Sequence, residues 1–153
     1  MRTTLARIAT RIPRSLAVAA VLAAPLAAAL VVSPALAQSA EARSHSAIEG
    51  QIEAFRARDG ERAYSYAAPG VKRFFRSPAA FMTMVQNGYG PVYAPRDYTF
   101  GRFGEKDGQA LQEVLITGPE GKEWAALYTL EAQADGTMLI TSVRLVRAQA
   151  AAI

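Results

Sequence analysis

The hydrophobic period of this chain changes once, at Pro95, and that change constrains the architecture more than any other feature. Before it, apolar residues recur at helical spacing: Ile48, Ile52 and Phe55 fall at i, i+4 and i+7, one stripe of a helix. After it the period drops to two. Four runs follow, Asp97–Phe103, Gln109–Thr117, Glu123–Gln133 and Met138–Arg147, joined by "GEKDG", "GPEGK" and "ADG". Short connections with this turn chemistry join antiparallel neighbours. Helices followed by a meander predict an α+β domain: three N-terminal helices packed on a curved four-stranded antiparallel sheet, cone-like.

The first helix is expected over Ser46 to Asp59, with Arg56 and Arg58 near its end and Gly60 as a left-handed terminator. "ERAYSYAA" forms the second, from Glu61 to before Pro69, and "PGVKRFFRS" a helical turn carrying Val71, Phe74 and Phe75. Ser77 caps the third, with Pro78 at its first position and Asn87 near its end. Its buried side is Phe81, Met84 and Val85. In "YGPVYAPRDYTFG", Pro91 and Pro95 hold the chain extended. Tyr89 and Tyr93 then plug the gap between the third helix and the first strand, as a hinge first and a pocket wall second.

The strands carry apolar residues on both sides. In the third, Trp124, Ala126, Tyr128 and Leu130 oppose Ala125 and Leu127; in the fourth, Leu139, Val143 and Leu145 oppose Met138, Ile140 and Val146. Such a pattern asks for a cover on the outer face, from a second copy, the leader or the tail.

Residues 1–37 stand apart. Arg2, Arg7, Arg11 and Arg14 precede the uncharged stretch Leu16 to Val32, and Ala35 and Ala37 flank Leu36. Basic start, apolar middle and small-residue exit describe a secretory signal peptide cut after Ala37. The apolar stretch is short, alanine-rich and broken by Pro25, unlike a membrane span of about 20 residues. The expected organisation is a signal peptide at 1–37, a flexible leader at 38–46, one α+β domain at 47–147 and a tail at 148–153, in a periplasmic or secreted protein. Removing the signal takes four arginines from the 17 basic residues, leaving 13 against 13 acids. That balance removes the hint of nucleic acid or anionic lipid that the high isoelectric point suggests. No nucleic acid, and no membrane after cleavage, is expected as a partner.

The chain has no cysteine, and His45 is its only histidine. Thiol catalysis, histidine-dependent triads and ordinary zinc sites are excluded. No glycine-rich phosphate cradle precedes a helix, and "EKDG" at 105–108 suits a hairpin rather than a calcium loop. No cofactor or metal is expected. His45 reads as a solvated leader residue. The aromatic residues with polar tips are the candidate ligand-binding set: Tyr64, Tyr89, Tyr93, Trp124 and Tyr128, with Tyr66 and Tyr98 beside them. Core packing, each hydroxyl reaching a carbonyl or the surface, is the plainer account of the same residues. Arg144 is read as a solvated strand charge.

"IEGQIEAFRARDGERAYSYAAPGVKRFF", "FMTMVQNGYGPVYAPRDYTFG" and "GKEWAALYTLEAQADGTMLITSVRL" together resemble the bacterial domain-of-unknown-function 4864 family, over Ile48 to Leu145. "MVQNGYGPVY" is the most specific piece. The pattern also looks like the nuclear-transport-factor-two-like cone, whose members include isomerases, dehydratases and non-catalytic binders; the resemblance does not choose among them. An isomerase would use a carboxylate of raised pKa, and Asp59, Asp97 and Glu53 are the acids weighed. Each reads as exposed, so no catalytic residue is assigned. Three readings follow: a non-catalytic module binding a small molecule or protein, a cofactor-free isomerase- or dehydratase-like enzyme using a cavity carboxylate and tyrosines, and a structural envelope protein that dimerises through its sheet.

Overall fold

A computed structural model describes residues 39–148. The expected signal peptide at 1–37, and the tail beyond Ala148, lie outside the described residues. Five helical segments come first: α1 (Ala40–Arg56), α2 (Gly60–Ser65), α3 (Pro69–Phe74), α4 (Pro78–Gly88) and α5 (Gly90–Tyr93). Four strands follow: β1 (Asp97–Lys106), β2 (Gln109–Thr117), β3 (Glu123–Ala132) and β4 (Met138–Arg147). They form one antiparallel sheet in the order β1-β2-β3-β4. The α+β class and the helices-then-sheet order are those read from the sequence; the number of helices is larger.

The expected leader is helix. Ser39 caps α1, its Oγ accepting from the Ala42 amide at 3.1 Å. The buried stripe of these first turns consists of small residues, Ser44 and Ala47, so a hydrophobic-period reading sees only polar chain there. Ser44 satisfies its buried hydroxyl by donating to the Ala40 carbonyl at 2.8 Å. Ile48, Ile52 and Phe55 continue the stripe at 0–2 % exposure, each fully buried side chain contributing about 1.5–3 kcal/mol. Helix termination also differs from the expectation. Arg58 takes the left-handed conformation (φ 57), and Gly60 starts α2, capped by Asp59, whose carboxylate accepts from the Arg62 amide at 3.0 Å.

Trp124, Ala126, Tyr128 and Leu130 of β3 share one side, as read from the sequence, and β2 alternates against them. Ala110, Gln112, Val114 and Ile116 face the helices across from Leu130, Tyr128, Ala126 and Trp124. β4 departs from the expected pattern, because a bulge interrupts its register: Leu130 pairs Ile140, while Thr129 pairs Ser142. The extra residue, Thr141, shifts the parity. Met138 and Ile140 therefore share the inner face with Val143 and Leu145, and Arg144 falls outside beside Leu127. The free edge of β4 is partly covered. Ile140 donates to the Tyr66 carbonyl at 2.8 Å, and the Ala68 amide donates back to Ile140 at 2.9 Å.

The hairpin turns follow their sequences. Asp107 and Gly108 both have positive φ (52 and 76), as a two-residue hairpin requires. On the outer face of the sheet Leu111, Leu115 and Val146 are exposed.

Candidate functional site

The helices do not close completely over the bulged strand. Between α1, α3, α4, α5 and β4 lies a partly open cavity of about 360 Å³. Phe55 of α1, Phe75 after α3, Phe81 and Val85 of α4, Val92 of α5 and Ile140 of β4 wall it. The backbone explains why it stays open. α3 stops at Phe74, and Phe75 turns extended (φ −107, ψ 93), so its ring packs on Phe81 (centroids 6.3 Å apart) instead of continuing a helix across the gap. α5 holds the opposite rim. Pro91 sits in its first turn, so the stretch expected to be extended is one helical turn, compatible with proline where no amide donor is needed.

Two polar groups reach this cavity from its inner walls. Gln51 is 3 % exposed and donates its amide to the Ala63 carbonyl at 3.3 Å; among the described residues its side-chain oxygen accepts no hydrogen bond. Tyr89 donates its hydroxyl to the Val143 carbonyl at 3.2 Å, keeping its oxygen lone pairs as acceptors. Thr141 and Ser142 border the strand side. Among the described residues no charged side chain lines the cavity. Its chemistry is apolar surface with acceptor capacity, suited to a neutral ligand carrying one hydroxyl or amide donor.

Of the five candidate residues, the structure brings only Tyr89 to this cavity. Tyr64 packs on Phe81 and donates its hydroxyl to the Phe75 carbonyl, holding the turn after α3. Tyr93 lies against Phe55 at 5.8 Å, its hydroxyl accepting from Gln86. Trp124 stands near the sheet end under the Arg147 guanidinium, 5.2 Å from the ring centre. Tyr128 is 1 % exposed in the core, and among the described residues its hydroxyl has no hydrogen-bond partner; burial pushes its pKa up, with a smaller contribution from Tyr98. Gln51 was missed although its spacing announced it: it lies three residues after Ile48 and four before Phe55, on the buried stripe.

A second polar cluster lies against β1 and β2. His45 is not in a solvated leader; it stacks on Phe100 at 3.8 Å and bonds the Gln112 side-chain oxygen at 3.0 Å. The Gln112 amide nitrogen donates to the Glu113 carbonyl at 2.8 Å and reaches those of Gly101 and Arg102. Its oxygen is therefore the acceptor, and His45 Nε2 must carry the proton. This is a packed bridge between α1 and the sheet. The three acids weighed earlier are elsewhere: Asp59 caps α2, Glu53 pairs with Arg62 at 3.0 Å on the surface, and Asp97 is exposed. No group of three or more acids and histidines is placed to hold a metal among the described residues.

The model of the domain-of-unknown-function family DUF4864 matches residues 37–153, and the chain belongs to that family. No curated protein matches it. Among solved structures it is similar to a DUF4783 family protein from Bacteroides ovatus, 12% identical, with a TM-score of 0.43 over 66% of this chain and 94% of that one.

Proposed function

We propose that this member of the DUF4864 family is a non-catalytic binding domain that takes a neutral, mainly apolar small molecule into the cavity beside β4. One observation carries the reading: a space of about 360 Å³, within the usual size of ligand sites, with no ionisable side chain among the described residues of its walls other than the Tyr89 phenol. Gln51 and Tyr89 orient the ligand through a single donor. An isomerase or dehydratase would need a general base within hydrogen-bond reach, and among the described residues no carboxylate lines this cavity. The basic, apolar and small-residue succession of residues 1–37 supports an exported, periplasmic location.

The test is native mass spectrometry of the protein purified from its own periplasm, paired with titration of a neutral fluorescent probe such as N-phenyl-1-naphthylamine. Val143→Phe and Met84→Trp fill the cavity from opposite walls. Retained mass lost in both variants, and probe affinity reduced at least about tenfold, is the expected result. Equal probe binding by parent and both filled variants overturns the reading.

A second reading, a homodimer through the sheet, is favoured by one feature. Leu115, Ala125 and Val146 form an apolar row across the outer face, beside Thr99. Four strands of this length present a face of roughly 600 Å² per copy, about 1,200 Å² in a pair, just at the size of a specific interface. Sedimentation of the parent and of Leu115→Glu distinguishes it: a parent that stays monomeric at high concentration sinks this reading.

A further inference from the structure

Phe74 is 86 % exposed, the most exposed large apolar side chain described. It is not on a loose loop. The Tyr64 hydroxyl holds the carbonyl of the next residue, and the Phe74 ring lies 5.8 Å from that of Phe75, which is anchored in the cavity wall. Lys72, Arg73 and Arg76 surround it in sequence, and α3 has no acid. Among the described residues none of these three cations is in an ion pair; Lys72 lies over the Tyr64 ring at 5.4 Å and reaches the Ser65 carbonyl at 3.3 Å.

The surroundings extend the charge. From Arg62 to Arg96 the sequence contains no aspartate or glutamate, but five basic residues: Arg62, Lys72, Arg73, Arg76 and Arg96. Arg62 is matched by Glu53 of α1. All 13 acids lie outside this stretch. The overall charge balance, from which no membrane contact was expected, thus conceals a cationic segment with an aromatic tip.

We infer that α3 docks on an anionic lipid surface, Phe74 entering the interface between headgroups and acyl chains while Lys72, Arg73 and Arg76 meet the headgroups. An acidic protein would be met by the same charges, but a protein hot spot is ringed by a rim that excludes water. Phe74 projects alone between cations, with Pro69 and Gly70 behind it. A solitary apolar ring among basic residues matches an interfacial element, in which Trp, Phe or Leu enters the headgroup and acyl boundary and each basic residue adds attraction to anionic lipid. The inference does not depend on the cavity being a binding site.

The test places the reporter at the contact. Phe74→Trp in the exported protein is mixed with vesicles of phosphatidylcholine alone or with 30–40% phosphatidylglycerol (about one lipid in three, enough for a strong surface potential), the parent correcting for Trp124. Expected are a blue-shifted emission and quenching by brominated acyl chains on the anionic vesicles only. Arg73→Gln/Arg76→Gln should weaken vesicle affinity about 25-fold, roughly fivefold for each basic residue near the surface, and Phe74→Ser about tenfold. Emission at position 74 that stays water-like on anionic vesicles overturns the inference, whether or not the protein sediments with them. So does affinity unchanged in both sets of variants.

Discussion

Replacing Gly50 by alanine should destabilise the domain, although alanine is the better helix former. Gly50 is buried in the middle of α1. A β-carbon there would lie 2.5 Å from Tyr66 Cζ and nearer still to the Tyr66 hydroxyl. Ordinary contact begins near 3.4 Å, so the ring must retreat by about 1 Å. The backbone cannot carry it away, because the Tyr66 carbonyl is held by the Ile140 amide at 2.8 Å, so the ring must turn off its own side-chain rotamer. Helix propensity favours the substitution by about 1 kcal/mol, while forced overpacking costs about 1–3 kcal/mol. The net expectation is a loss of up to about 2 kcal/mol. In a Tyr66→Ala background the obstacle is gone, and the same change should stabilise by up to about 1 kcal/mol. A double-mutant cycle by urea denaturation, reading midpoints at constant slope, measures the coupling. If Gly50→Ala alone raises the midpoint, the Tyr66 ring does not sit against α1 and the reasoning fails.

Three further outcomes are expected. Tyr64→Phe removes the hydroxyl that bonds the Phe75 carbonyl and should cost about 1 kcal/mol, with faster amide exchange in the turn after α3; unchanged exchange would show that the turn holds itself. Tyr128→Phe deletes a buried hydroxyl without a hydrogen-bond partner among the described residues and should stabilise by about 1 kcal/mol, since an unmet buried polar group costs 1–3; a loss of that size in thermal unfolding would reveal a partner. Arg102 holds the Glu113 carboxyl below its ordinary 4.5, chiefly through side-chain hydrogen bonds at 3.2 Å. A depressed carboxyl stabilises above its unfolded pKa and loses this as pH falls through the folded one. The melting-temperature gap between parent and Glu113→Gln should therefore be full at neutral pH, narrow once the pH passes below the ordinary carboxyl value of 4.5, and close as it falls through the depressed folded value. It will be small, because the Arg102 side chain is 89% exposed and solvent screens the pair; a gap that widens in acid contradicts the assignment.

The sheet was legible because its signals are local. Two of its strands, Gln109–Thr117 and Met138–Arg147, match the expected bounds residue for residue, since hairpin turns fix register over a few residues. Three things were not legible, each for a physical reason. The first turns of α1 bury Ser44 and Ala47, side chains too small to show as an apolar stripe, so Ser44 and His45 were placed in the leader. The Thr141 bulge lies beside Ile140, where Tyr66 and Ala68 pair with the strand, a contact more than 70 residues away that no window sees; in a strand without the bulge Ile140 and Val143 fall on opposite faces. The cavity is a remainder, the volume that α3, α4 and α5 fail to fill, and of the five aromatic candidates only Tyr89 meets it.

That remainder and the exposed ring have one origin. A longer α3 would carry Phe75 along the helix and lay its side chains over the gap. Pro69 starts the helix and the extended Phe75 ends it after six residues, which sends Phe75 inward to Phe81 and leaves Phe74 outward. The Tyr64 hydroxyl fixes the point where the two rings diverge. Cavity wall and surface knob are therefore consecutive residues on one pinned turn. A surface that captured Phe74 would bear directly on the wall that Phe75 forms, because the two rings sit on consecutive residues of that turn.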